Sequence, residues 1–166
     1  MRTGDAEAIA EIYAPFVLGT PTSFEIEPPD MEEVRGQILR YTGEGYPWLV
    51  AEDGDGRVVG YAYSSPHRVR YCYRWSVDVS AYIAEGFRNM GIGKALYGRL
   101  IEELRDAGFW NAYAGITLPN AASVGLHESV GFVPVGVYQR VGYKMGAWHD
   151  VGWWQLALRP GFDAPA

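Results

Sequence analysis

The sequence predicts an α/β domain, a mixed central sheet flanked by helices, and three observations carry that prediction. Stretches with helical apolar period alternate with runs of β-branched and aromatic residues. A glycine-bearing turn, Arg88-Asn89-Met90-Gly91-Ile92-Gly93, leads straight into an apolar helical run. Asp53-Gly54-Asp55-Gly56 separates two strand-like runs and reads as a hairpin. At 166 residues the chain is long enough for one well-cored domain, taken as 1–166.

The elements follow in order. Asp5 can cap a first helix that places Ile9, Ile12, Tyr13 and Phe16 on one face. Residues 20–29 form a proline-rich loop. Asp30 and Glu33 make a capping box for a second helix running to about Tyr41. Trp48 to Glu52 and Arg57 to Tyr63 are the hairpin strands. Cys72 to Ile83, aromatic and β-branched, reads as one long strand. Leu96, Leu100, Ile101 and Leu104 give the next helix its stripe, and Gly108 stops it. Trp110 to Thr117 is a strand, and Asn120 caps a short helix that Gly131 ends. Phe132 to Tyr143 and Trp148 to Leu158 are two final antiparallel strands. Pro160 to Ala166 is linker-like.

Composition narrows the function. Apolar residues make up 48% and charged residues 20%, the balance of a soluble globular protein. A formal net charge of −6 disfavours a nucleic-acid partner. Cys72 is the single cysteine, which excludes an internal disulfide and fits a cytoplasmic setting. No stretch reads as a membrane span or a signal-peptide core, so no membrane partner is expected. His67, His127 and His149 lack ligand spacing, and no metal is expected.

The glycine turn has a physical use. Gly91 and Gly93 let the backbone bend sharply and approach a ligand. The helix start behind them offers unpaired amides and the positive dipole end, a natural seat for a pyrophosphate, with Arg88 and Lys94 adding charge. An ordinary glycine loop capping a helix would read the same way. Further on, Asn120, Ser123 and His127 lie roughly in line on one helix. Asn120 is also a plain N-cap, and His127 alone reads more readily as a satisfied core histidine.

Together these segments resemble the acetyl-CoA site of the GNAT N-acetyltransferases. The run from Gly115 to Leu156 resembles the phosphinothricin acetyltransferase branch of that fold. Leu118-Pro119-Asn120, Leu126-His127-Glu128, Gly131-Phe132, Gly142-Tyr143-Lys144 and Trp148-His149-Asp150-Val151-Gly152-Trp153-Trp154-Gln155 carry the likeness. Upstream, Thr22-Ser23-Phe24 and Tyr46-Pro47-Trp48-Leu49-Val50-Ala51-Glu52 fit the same branch. Members usually open with a strand. Here Met1 to Thr3 leave room for a stunted one, or the true start lies upstream.

The resemblance implies direct acetyl transfer from acetyl-CoA to a primary amine. It places the pyrophosphate on Asn89, Met90, Gly91, Ile92, Gly93 and Lys94, with Arg88 beside it and Asn120 and Ser123 walling the cofactor. Backbone groups of Ala81, Tyr82 and Ile83 would hold the pantetheine arm. The branch's proposed base, a glutamate, is Asp78 here. The shorter carboxylate calls for a water to reach the amine. A solvated strand residue is its bland alternative, although a carboxylate on an apolar strand is costly unless used or paired. His127 would be the second proton-handling group, completing a relay or protonating the departing thiolate. Arg68 and Arg70, flanking Val69, match two cations that meet the substrate's acidic groups, and guanidinium forks suit such oxygen pairs. On an extended segment they point the same way, while a solvated basic loop is the ordinary reading. Val79 and Ser80 border the substrate by the same resemblance, and Phe24 closes over it. A homodimer is also implied.

The leading reading is therefore an N-acetyltransferase for the α-amine of a phosphinothricin, methionine sulfoximine or methionine sulfone type substrate. A different small amine or a peptide N-terminus is the alternative within the fold. A non-catalytic acyl-CoA-binding module is the alternative outside catalysis, and Asp78 and His127 argue against it.

Overall fold

The computed structural model of the chain describes residues 3–159 and residue 161. A 3-10 turn at Thr3–Asp5 leads into α1 (Ala6–Gly19) and α2 (Met31–Gly43). Strands β1 (Trp48–Glu52) and β2 (Val58–Pro66), a 3-10 turn at Tyr71–Tyr73, β3 (Ser76–Ile83) and α3 (Ile92–Asp106) follow. The chain continues through β4 (Asn111–Leu118), α4 (Ala121–Ser129), β5 (Val133–Lys144) and β6 (Ala147–Ala157). Apart from Thr3, in the first turn, and Gly161, the expected N-terminal strand and the linker-like tail lie outside the described residues.

Local chemistry explains most boundaries. The capping box of α2 is made in full: Glu33 N donates to Asp30 Oδ1 at 2.9 Å, and Asp30 N donates to Glu33 Oε2 at 3.0 Å. Asp5 differs from expectation, because its side chain makes no capping bond and α1 starts from the preceding turn. In the hairpin, Asp53 Oδ1 accepts from the amides of Asp55 and Arg57, both at 3.0 Å, and Gly56 supplies the required φ of +80°. The long strand expected from Cys72 to Ile83 is shorter. Tyr71–Tyr73 coil into the 3-10 turn, and Arg74 lies over the rings of Tyr71 and Trp75 at 3.9 and 3.4 Å. The strand begins at Ser76.

The six-stranded sheet runs β1-β2-β3-β4-β6-β5. Every neighbouring pair is antiparallel except β3 and β4, which are parallel. Helices α1 and α2 cover one face through Ile9, Ile12, Val34 and Ile38, packed on Trp48 and Tyr61. Helix α3 covers the other through Leu96, Tyr97, Leu100 and Leu104, packed on Val77, Val79, Ala112 and Ala114. Strand alternation divides the residues of β3 between these faces. Val77, Val79, Ala81 and Ile83 face α3, and Tyr82, packed on Tyr13 and Phe16, faces α1. Asp78 and Ser80 share the parity of Tyr82 and so its face.

One departure from regular pairing positions the site. The parallel pair is in register only from Ser76–Asn111 to Asp78–Tyr113. Beyond that point β3 stays paired to β2 up to Ile83, and β4 stays paired to β6 up to Leu118. The strands thus splay into a V with Asp78 and Tyr113 at its apex, and their facing edges leave backbone donors and acceptors unpaired by the sheet.

Candidate active site

The helix start expected to cradle an anion has the required geometry. Gly91 is the N-cap residue of α3 with φ +81°, and no side chain caps the helix among the described residues. By contrast, Asp30 caps α2 and Asn120 Oδ1 caps α4 by accepting from Ser123 N at 3.1 Å. An added Cβ at Gly91 would meet no described heavy atom within 4 Å, so the turn opens outward. Asn89 is also left-handed at φ +62°, and Arg88, Asn89, Met90 and Lys94 are exposed around it. The Arg88 guanidinium lies over Phe16 at 4.8 Å. Gly93 plays a different part: an added Cβ there would meet Leu126 Cδ2 at 3.0 Å, so its small size lets α3 and α4 approach. The V between β3 and β4 and the bare start of α3 are two sets of free backbone groups of the kind an extended, phosphate-ended ligand would engage.

At the apex, Asp78 Oδ1 lies 2.6 Å from Nδ1 of His67, a residue the sequence reading had not singled out for chemistry. Burial pushes the Asp78 carboxyl above its ordinary value, while the His67 hydrogen bond and the nearby charges of His67 and Arg68 oppose the shift. The His67 ring stacks on Tyr113 at 4.4 Å and meets Tyr73 and Trp153 edge-on, each at 6.1 Å. His67, Arg68, Tyr113, Trp153 and the β5 residues Val135, Gly136 and Tyr138 line a cavity of about 170 Å³. The Trp153 indole N–H is buried without a partner among the described residues.

His127 sits elsewhere. It is buried on α4, its Nδ1 lies 2.7 Å from Ser123 O and its Nε2 lies 2.8 Å from the Tyr97 hydroxyl. The carbonyl can only accept, so Nδ1 carries the proton and Nε2 accepts from Tyr97. Burial lowers the pKa of the ring and keeps it neutral. Tyr97 packs against the sheet face opposite Asp78. His127 thus makes its hydrogen bonds to Tyr97 and Ser123, and the ring bonded to Asp78 is His67.

Three further expectations change. Residues 67–70 bend instead of extending, so strand alternation does not align Arg68 with Arg70. Arg68 reaches the cavity, donating to His67 O at 2.7 Å and lying 5.8 Å from the Trp153 ring, while the Arg70 side chain has no partner among the described residues. Val69 is fully exposed. Val79 buries its side chain toward α3, leaving its backbone to the V, whereas Ser80 shares the face of Asp78. Phe24 is laid on Gly142, where an added Cβ would overlap its ring, and beside His149 at 6.3 Å. The missed residue behind this is Lys144. Its buried ammonium donates to Val17 O at 2.6 Å and Ser23 O at 2.7 Å, which clamps the loop carrying Phe24 onto β5.

Known proteins place this geometry. Residues 1–153 match the acetyltransferase (GNAT) domain family. The chain is 37% identical to a phosphinothricin N-acetyltransferase of Streptomyces viridochromogenes, over 98% of this chain and 85% of that protein. It is 36% identical to the L-methionine sulfoximine/L-methionine sulfone acetyltransferase of Pseudomonas aeruginosa, over 97% of this chain and 94% of that protein. A solved phosphinothricin acetyltransferase from Sinorhizobium meliloti, in complex with acetyl-CoA, superposes with a TM-score of 0.96 at 36% identity, covering 100% of this chain and 90% of that one. A six-stranded mixed sheet splayed between β3 and β4, an uncapped glycine turn at α3 and this likeness along nearly the whole chain lead to one assignment: the chain belongs to the GNAT acetyltransferase family.

Proposed function

We propose that this chain moves an acetyl group from acetyl-CoA directly to the α-amine of a small amino-acid analogue of the phosphinothricin, methionine sulfoximine or methionine sulfone type. The observation that carries the reading is the V whose open edges run from the bare amides of α3 to a carboxylate–imidazole pair and an arginine-lined cavity. Amides from Asn89 to Lys94 would take the pyrophosphate, and backbone groups of Ala81, Tyr82 and Ile83 the pantetheine arm. When bound, acetyl-CoA supplies the activated acyl carbon and the thiolate leaving group. Asp78, at the apex with His67, is where an ammonium can lose its proton. Arg68 faces the cavity and suits an oxygen-rich head or a carboxylate. Neutral His127 fixes α4 against α3 beside the cofactor wall formed by Asn120 and Ser123.

A second copy of the chain is part of this reading. Strand β5 walls the cavity and exposes Val133, Val135, Val137, Tyr138, Val141 and Tyr143, an apolar surface of the kind that marks interfaces. The reducing cytoplasm suits an enzyme whose single cysteine, Cys72, is exposed. The test is thiol release from acetyl-CoA across a panel of amines. Methionine sulfone, methionine sulfoximine or phosphinothricin should be acetylated far better than polyamines, aminoglycosides or peptides. A peptide or polyamine that outcompetes every amino-acid analogue would move the substrate assignment elsewhere.

A further inference from the structure

We infer that Nε2 of His67 is the atom that takes the proton from the substrate ammonium, with Asp78 acting on it as a positioning residue. The inference rests on the acetyl-transfer reading above and divides the labour within it.

Four features of the pair carry it. Asp78 Oδ1 is already engaged in a 2.6 Å bond, so it is poorly placed to accept a second proton from a substrate. A carboxylate can only accept, so the neutral imidazole carries its hydrogen on Nδ1 and leaves the Nε2 lone pair free. The ring lines the cavity, its Nδ1 is taken by Asp78, and its Nε2 has no hydrogen-bond partner among the described residues. Lastly, the ring is held on several sides: stacked on Tyr113, edged by Tyr73 and Trp153, and tied by its own amide to Ser76 O at 3.3 Å. A base with a fixed tautomer and orientation, set by a half-buried carboxylate, is the general arrangement for activating a nucleophile. It also answers the short side chain at position 78. The imidazole extends the reach of the carboxylate into the cavity, and no bridging water is required.

The proton account balances. Nε2 takes one ammonium proton and becomes imidazolium, and the freed nitrogen pair forms the N–C bond to the acetyl carbon as the C–S bond breaks. The nitrogen sheds a second proton as the amide forms, and one proton goes to the thiolate. The imidazolium returns its proton to solvent through the cavity, so each turnover yields amide, free thiol and one released proton. The titratable and charged groups around the ring are Asp78 on β3, Arg68 beside it, Tyr73 in the 3-10 turn, Tyr113 on β4 and Tyr138 across the cavity on β5.

The test uses the full chain with methionine sulfone and acetyl-CoA, measuring kcat/KM from about pH 5 to 9. Wild type should show a limb that rises through that range. His67→Ala should lose the limb and about 10²-fold or more in rate, and imidazole added to the assay should restore part of it. Unchanged circular dichroism and acetyl-CoA affinity would confirm the fold of the variant. Asp78→Asn should keep the limb at reduced rate, because the amide oxygen can still accept from Nδ1–H. His67→Ala with a wild-type profile, or a limb abolished by Asp78→Asn and untouched by His67→Ala, would overturn the inference and return the role to the carboxylate. Nitrogen NMR of the His67 ring reads the same claim without turnover: the neutral ring should carry its proton on Nδ1, and a proton on Nε2 would overturn it. Absence of thiol release with every amine of the panel would instead sink the substrate reading.

Discussion

The Asp78 carboxyl is partly withdrawn from water beside His67, and that has a stability consequence. Burial raises its folded-state pKa above the ordinary carboxylate value of 3.8, so the folded chain holds this proton more tightly than the unfolded chain. The group therefore loses stabilising effect as pH rises from that ordinary value to its raised one. Asp78→Asn should melt at a temperature equal to or above wild type at neutral pH, with its advantage growing across that window and flat above it, while kcat falls about 10²-fold. Melting curves over pH beside steady-state rates check both halves, and a variant that is destabilised at neutral pH and fully active contradicts them. Arg68 and Arg70 separate in the same manner. Arg68→Ala should raise KM for the anionic analogues by about 10- to 100-fold, the scale of one charge-assisted bond of about 1.5–3 kcal/mol, and Arg70→Ala should change it far less. Saturation curves for both variants decide it. Asp78, Arg68 and the glycine turn were legible because their residue types stand out in their own segments. His67 was not, because its meaning depends on Asp78, 11 residues away across a bend that no periodicity announces. His127 shows the opposite case: helical spacing aligns it with Asn120 and Ser123, as the structure has it, whereas its packing on Tyr97 comes only from the fold.

At the scale of elements, the closeness of α3 and α4 turns on Gly93. An added methyl there would lie 3.0 Å from Leu126 Cδ2, so one neighbour has to shift. Gly93→Ala should cost about 1–3 kcal/mol by overpacking and weaken acetyl-CoA binding as α4 moves off. Calorimetric melting and a binding titration read the two effects together, and an unchanged melting temperature would show that Leu126 gives way freely. Gly91 calls for a different substitution. At φ +81° a valine would be strained whatever it did to a ligand, so Gly91→Asn is the cleaner probe, because asparagine tolerates that conformation and the space is open. It should leave melting nearly unchanged and raise the acetyl-CoA Kd, while an unchanged Kd would move the pyrophosphate elsewhere. The helices, the hairpin and the capping box were readable because caps, glycines and apolar stripes act locally. The start of β3 was not. Its aromatic residues have strand propensity, but the Arg74 guanidinium packs against Tyr71 and Trp75 and the segment coils instead.

At the scale of the whole molecule, alternating segments announced a mixed sheet, whereas its splay could not be read from any one strand. The splay exists because β3 and β4 each keep a full antiparallel neighbour on the outer side while parting from each other, a property of four strands at once. The same outer strands set the last prediction. Strand β5 is the edge of the sheet, and its Val137, Val141 and Tyr143 are more than half exposed, as is Trp148 at the start of β6. Its edge is not a clean template for another strand. The register shifts between Tyr138 and Gly142, and Arg140 adopts φ +48° with its amide bonded to Asp150 Oδ1 at 2.7 Å. A bulge of this kind blunts edge-to-edge pairing, so a second copy is expected to pack face to face across the apolar side chains in a two-fold arrangement. Light scattering at micromolar concentration should then give twice the 18.4 kDa chain mass. A charge placed in the patch, Val137→Asp, should shift the protein to monomer and reduce acetylation with it, because β5 also walls the cavity beside His67. A wild-type chain that stays monomeric and fully active would show instead that the exposed β5 surface serves no partner copy and that the cavity is complete within one chain.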